Sequence, residues 1–201
     1  MTVSEVSRSS KKKEVEKNII PAVFAIIISA LMSMPAEAQK IYTKNGTISF
    51  FSRSPLEDIT AKNNGVTSVI NQQTGEIQFS VLIKSFRFKK SLMEQHFNEN
   101  YMESDQFPKA LFKGRIEDIS SVNFSADGIY RVTVSGDLTI HGVTNKVSSG
   151  GEIMVKNAVV TAQSSFNITL ADYKISIPAV VKNNIGRTVS VSVSCLYNQK
   201  M

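Results

Sequence analysis

Twelve consecutive residues in the second half of the chain alternate without a fault: Tyr130, Val132, Val134, Gly136, Leu138 and Ile140 take one side, and Arg131, Thr133, Ser135, Asp137, Thr139 and His141 take the other. A period of two means a strand with one buried and one wetted face, because successive side chains point to opposite sides of the sheet. The last run repeats the pattern, with Val189, Val191, Val193, Cys195 and Tyr197 interleaved with Ser190, Ser192 and Ser194. Further runs over 47–52, 66–71, 76–88, 110–121, from the 143–145 corner to about 155, and 159–170 read as strands. Turn residues separate them: Gln72-Gln73-Thr74-Gly75, Ala126-Asp127-Gly128, Gly142 before the Val143-Thr144-Asn145 corner, and Lys156-Asn157. Asp127-Gly128 suits a type I′ hairpin. Residues 54–64, bent at Pro55, read as a loop or short helix. Tyr173, Pro178 and Asn183-Asn184 mark an irregular link before the last strand. About eight short-linked strands with one apolar face each predict an all-β fold, a closed antiparallel β-barrel, since closure removes the exposed edges of an open sheet.

The strand over 76–88 breaks the pattern in an informative way. Ile77, Phe79, Val81 and Ile83 share a face, but Leu82, Phe86 and Phe88 make the other face apolar too. Either the phase switches at a bulge or both faces are covered. Ser91-Leu92-Met93-Glu94 fits a capping box opening one short amphipathic helix over about 91–102, with Met93, Phe97 and Tyr101 at spacing four beside Leu92. That helix should lie over a barrel opening or flank, and Phe107-Pro108 ends the excursion.

The front of the chain differs from the rest. Basic Lys11, Lys12, Lys13 and Lys17 precede an apolar run over 19–34, followed by Pro35-Ala36-Glu37-Ala38-Gln39 with small residues three and one positions before a cut. This predicts a signal peptide over 1–38, cleaved after Ala38, and a periplasmic or secreted location. The run is short for a membrane anchor. Residues 39–201 then form a single barrel domain with 18 Lys and Arg against 13 Asp and Glu. That modest excess admits transient contact with a membrane surface, while basics without interleaved aromatics argue against nucleic acid. A homodimer is left open. Cys195, the only cysteine, excludes a disulfide framework and sits among apolar neighbours as a small hydrophobe.

Chemistry-bearing residues are few. His96 and His141 are the only histidines. His96 with Glu99 lacks a third metal ligand, and His141 beside a turn reads as structural. Glu117 and Asp118 are adjacent and so point apart on a strand. No phosphate loop or nucleophile elbow is present. The chain is read as a binding protein, not an enzyme, with no cofactor and no metal. A barrel of eight strands can enclose one ligand, and with eleven phenylalanines and no tryptophan the candidate pocket residues are Phe79, Phe86, Phe88, Leu92, Met93, Phe97, Phe112 and Phe166. A lipid hydrolase or isomerase would need His96 or His141 to meet a carboxylate or hydroxyl inside the cavity.

Two stretches carry a resemblance. Gly136-Asp137-Leu138-Thr139-Ile140-His141-Gly142-Val143-Thr144-Asn145-Lys146-Val147 resembles the hallmark strand and corner of the YceI-like proteins, and Phe107-Pro108-Lys109-Ala110-Leu111-Phe112 is similar to the stretch those proteins carry after their helix. The similarity runs from about 46 to 197. It implies a lipocalin-like barrel, periplasmic or secreted, whose elongated pocket takes a polyisoprenoid or another long-chain lipid such as an isoprenoid quinone or acyl lipid. The alternative is a ligand-free structural or stress-protective envelope protein that contacts other proteins. At the front, Lys44-Asn45-Gly46-Thr47-Ile48-Ser49-Phe50 lacks the histidine that many of those proteins carry.

Overall fold

The computed structural model describes residues 40–53, 57–177 and 186–200, all within the unit Ala38–Met201. The signal-like segment, its cut after Ala38, Pro55, Pro178 and Asn183-Asn184 lie outside the described residues. Strands β1 (Lys40–Ser52), β2 (Ile59–Asn71), β3 (Glu76–Leu82), β4 (Arg87–Phe88), β5 (Lys109–Ile116), β6 (Gly128–Ile140), β7 (Val143–Lys156), β8 (Val159–Thr169), β9 (Thr188–Tyr197) and β10 (Gln199–Lys200) follow one another along the chain. Eight of them close a ring in the order β1-β9-β8-β7-β6-β5-β3-β2, with β1 pairing back onto β2. Every pairing is antiparallel. The two-residue strands β10 and β4 extend the edges of β1 and β2. Helix α1 (Ser91–His96) continues as a π turn (Phe97–Tyr101).

The strict alternation of β6 is realised as expected, with Leu138 and Ile140 buried and Arg131, Thr133 and Asp137 exposed. Exposed strand residues are mostly polar and buried ones mostly apolar, although Leu111, Ile129, Met154 and Leu196 are exposed. One end is densely filled by Ile41, Ile70, Ile77, Ile116, Ile153 and Val160 with Tyr197. There the Tyr197 hydroxyl shares a 2.7 Å hydrogen bond with Ser68 Oγ in full burial, and that burial pushes the phenol upward from its usual range. Cys195 is fully buried in the same cluster. Burial pushes its thiol up to about 11, so a folded sample at pH 8 should resist iodoacetamide and react only once unfolded. Mass measurement before and after denaturation reads this directly.

Several local expectations are corrected. Residues 59–64, read as loop, belong to β2, because alternation of Ile59, Ala61 and buried Asn63 continues the inward face once Asn63 is satisfied. Its amide donates to the Leu82 carbonyl at 2.9 Å, and its Oδ1 accepts from the Gly65 amide. The capping box does not form. Lys90 takes the N-cap position without a side-chain bond, and Glu94 instead accepts from Arg87 Nη1 at 2.8 Å and from the Phe88 amide at 3.2 Å. Asp127-Gly128 makes no type I′ turn: residues 117–127 form a longer link through a 3-10 turn (Ile119–Ser121), and Asp127 accepts the Asn157 amide. Of the two readings for 76–88, the phase switch is the one found, made by a 3-10 turn (Ile83–Ser85) rather than a bulge.

The two-residue turns lie elsewhere. His141-Gly142 joins the paired Ile140 and Val143, and Asn157-Ala158 joins Lys156 and Val159. All four residues have positive φ, the conformation of a type I′ hairpin. Ala158 at φ 61° carries a Cβ where glycine would be unstrained. Ala158→Gly should therefore raise stability by about 1 kcal/mol, read as a higher denaturant midpoint with an unchanged slope.

Candidate functional site

Between the dense end and α1 the barrel interior is not filled. Two chambers of about 300 Å³ and 280 Å³ lie end to end. They share the wall residues Ile48, Val81, Ala110, Leu138 and Phe166, so the two chambers adjoin at a common waist. The first chamber is covered by Met93, His96, Phe97 and Tyr101 of the helical segment. The second rests on Ile77, Ile116 and Ile153 of the dense end.

Each wall residue is set in place by an identifiable local cause. The turn over Ile83–Ser85 resets the phase so that Ile83 and Phe86 are both buried, and Phe88 follows on β4. Phe50, one alternation beyond Ile48 on β1, then meets Phe86, Phe88 and Phe97 with ring centroids 5.4, 5.7 and 5.6 Å away. Phe97 also stands 5.0 Å from Phe88 and 5.6 Å from Phe86. Offset and edge-on rings at these distances attract one another beyond simple burial. The four rings anchor the helical segment over the first chamber. At the second chamber, Gly114 opposes Gly136 across β5 and β6, and a Cβ on Gly114 would lie 2.4 Å from the Phe112 ring. The glycine makes room for that ring to lie flat on the wall.

Of the eight sequence-nominated residues, Phe86, Phe88, Met93 and Phe97 line the first chamber, Phe79 and Phe112 the second, and Phe166 both. Leu92 corrects the set. It is 60% exposed and borders neither chamber, because the helix begins at Ser91 and turns this first-turn side chain outward. Missed altogether were Phe50, Tyr101 and the waist residues Ile48, Val81, Ala110 and Leu138. The alternation of Ile48 with Phe50 and of Ala110 with the nominated Phe112 could have found three of them.

The polar groups are sparse and separated. His96 borders the first chamber, whose lining holds no carboxylate; Glu99 is held instead by Gln95. His141 does meet a carboxylate, with Nε2 2.7 Å from Glu103 Oε2, but it lines neither chamber. Its Nδ1 lies 3.3 Å from the Tyr173 carbonyl, and its ring stands 4.5 Å from that of Phe107. A Cβ on Gly142 would strike the same Phe107 ring at 2.6 Å. His141-Gly142 is thus a latch that ties the β6–β7 corner to two neighbouring segments. Among the described residues, imidazole and carboxylate do not come together in the lining of either chamber. Ser52 lines the first chamber with a buried hydroxyl that has no hydrogen-bond partner among the described residues.

Comparison with known proteins gives a consistent fold. A family described as YceI-like domain matches residues 40–196. A polyisoprenoid binding domain from Saccharophagus degradans, implicated in plant cell wall breakdown, superposes with a TM-score of 0.69 at 18% identity, covering 80% of this chain and 97% of that one. Burkholderia cenocepacia BcnA gives 0.62 at 14% identity, covering 76% and 96%. The Campylobacter jejuni YceI protein gives 0.51 at 14% identity, covering 69% and 85%. No curated protein matches.

Proposed function

We propose that this chain, which belongs to the YceI-like domain family, is an exported binding protein that holds one long apolar chain, a polyisoprenoid or similar lipid, along the axis of its barrel. The observation that carries the reading is the shape of the interior: two apolar chambers with a shared waist, suited to a narrow tail and not to a compact ligand. Their sizes together fall within the usual range of ligand pockets, roughly 300–1,000 Å³. Length matters energetically. Ten buried methylenes contribute roughly 8 kcal/mol, which association costs of roughly 4–15 kcal/mol can cancel. A chain of about twice that length overcomes them, so a long lipid is favoured over a short acid.

The description of the Saccharophagus degradans domain as polyisoprenoid binding supports the same class of ligand. The apparent signal segment and the modest basic excess of residues 39–201 fit a periplasmic or secreted protein working near anionic membranes. Ser52, with its unpartnered hydroxyl, is suited to receive the polar end of the ligand. Lipid extraction and native mass spectrometry of protein purified from an envelope fraction test the proposal. A stoichiometric long-chain lipid is expected. Repeated recovery of an empty barrel that also fails to take up a C18 or longer chain in vitro would overturn it.

A further inference from the structure

The wall of the barrel is not continuous. The ladder between β7 and β8 joins 151–156 to 159–164 and stops there, although β7 begins at Val143 and β8 runs on to Thr169. Beyond the last pair, Gly151 with Ser164, the ladder between them ends and their backbones pair only with their other neighbours, β6 and β9. A slit results, tied at both ends by side chains. At its foot Ser149 Oγ and Ser164 Oγ lie 3.0 Å apart, and Ser164 donates to the Gly150 carbonyl at 2.7 Å. At its head Asn145 Nδ2 donates to the Asp172 carbonyl at 2.7 Å. Along this stretch half-buried Val147, Phe166 and Ile168 pack against the core cluster of Ile83, Leu138 and Ile140.

Two observations set the slit between the inside and the outside of the barrel. Beyond the last pair the second chamber is bordered by neighbouring residues of both strand faces, Val147, Ser148 and Ser149 on β7 and Phe166 with Asn167 on β8, and at the edge of the slit by Gly151, Glu152, Gln163 and Ser164. Intact β6 contributes only alternate residues, Val132, Val134 and Leu138, whereas intact β5 contributes the consecutive Ala110, Leu111 and Phe112. A groove of about 680 Å³ on the outer surface lies against Gly151, Glu152, Gln163 and Ser164 as well. A Cβ on Gly150 would meet nothing within 4 Å. Chamber and groove are divided by backbone and small side chains.

We propose that this slit is a side portal through which an apolar chain enters and leaves the second chamber, with Ser149 and Ser164 as the latch at its foot. The inference rests on the binding reading above. Passage through any paired seam would rupture a run of ladder hydrogen bonds, whereas here the serine hydroxyls and a few apolar side chains need only step aside. The dense end bars one axial route, and the four-phenylalanine cluster under the helical segment obstructs the other.

The test joins the lips of the slit. Lys146 and Thr169 are exposed positions outside both chamber linings that would face each other if the register of Gly151 with Ser164 continued. The double variant Lys146→Cys/Thr169→Cys is linked with a bis-maleimide, to which buried Cys195 is closed, and stopped-flow fluorescence follows uptake and release of cis-parinaric acid. Linking should slow both rates by about tenfold or more while leaving the dissociation constant within about twofold, the mark of a gate rather than a contact. A control link, Asp137→Cys/Lys146→Cys, spans the fully paired β6–β7 seam and should leave the rates unchanged. Rates unmoved by the slit link, or slowed equally by the control, overturn the portal while the binding reading stands. Failure of the unlinked protein to take up the probe removes the binding reading and the portal with it.

Discussion

Ala110→Phe should abolish retention of a long apolar chain while leaving the barrel folded. Ala110 is half-buried on β5 and borders both chambers, so a phenyl ring there grows into the waist instead of into packed atoms. A chain confined to one chamber loses the burial offered by the other, about 0.8 kcal/mol for every methylene turned out. Ten such groups correspond to roughly 8 kcal/mol before compensation, and a loss of at least about a hundredfold in affinity is expected even if most of that is offset. Stability should hold or rise, because the substitution fills space, and far-UV circular dichroism should be unchanged. Titration with a fluorescent C18 chain measures the effect. Undiminished binding by a folded Ala110→Phe protein would place the ligand somewhere other than the barrel axis.

Gly46→Ala should be among the most destabilising single changes in the molecule. Residue 46 lies where β1 shifts register against β2, and a Cβ there would stand 2.5 Å from Cys195 Sγ and 3.1 Å from the Val66 carbonyl oxygen. Cys195 is fully buried on β9 and Val66 on β2, so the strands on either side have nowhere to retreat. Overpacking of this kind costs about 1–3 kcal/mol and occasionally more; the upper end is expected here, read as a fall in denaturant midpoint. The sulfur is the nearer obstacle. Cys195→Ala alone should cost about 1–2 kcal/mol through the small void it leaves, yet in the double variant it should restore part of what Gly46→Ala removes, a coupling of about 1–2 kcal/mol. Simple additivity of the two losses would mean that the sulfur is not what glycine accommodates.

The barrel was legible in the sequence because its strands are amphipathic at period two, and β6 and β9 carry that period without interruption. Legibility failed where backbone satisfaction, not hydrophobicity, decides the conformation. Asn63 looks like a loop residue, but its amide and carbonyl oxygen both find backbone partners, which lets a polar side chain sit on the inward face of β2. Ser91 and Glu94 have the spacing of a cap, yet Arg87 and the Phe88 amide claim the carboxylate first. Ala158 defeats turn prediction outright, since alanine is rarely found at positive φ. Within the site, six phenylalanines stood out by size while Phe50 was missed, and Ala110, though in phase with Phe112, was passed over because its importance lies in how little room it takes. The slit between β7 and β8 was invisible for a different reason: alternation reports which face is buried and says nothing about whether the neighbouring strand is bonded.

The closing of the ring brings together opposite ends of the chain, for Thr47 on β1 stands across from Ser194 on β9, while most other seams join strands that follow one another in sequence. Long-range pairing pays its loop-closure entropy before any gain is returned. The meander from β5 to β8 can therefore assemble by short hairpins, and the β1–β9 seam is the step that must wait. Until it forms there is a curved sheet and no interior, so a lipid cannot serve as a template for the early stages of folding. It stabilises only the finished barrel, in proportion to how far its concentration exceeds the dissociation constant, and a chain stalled before that seam would show two unsheltered strand edges to its neighbours.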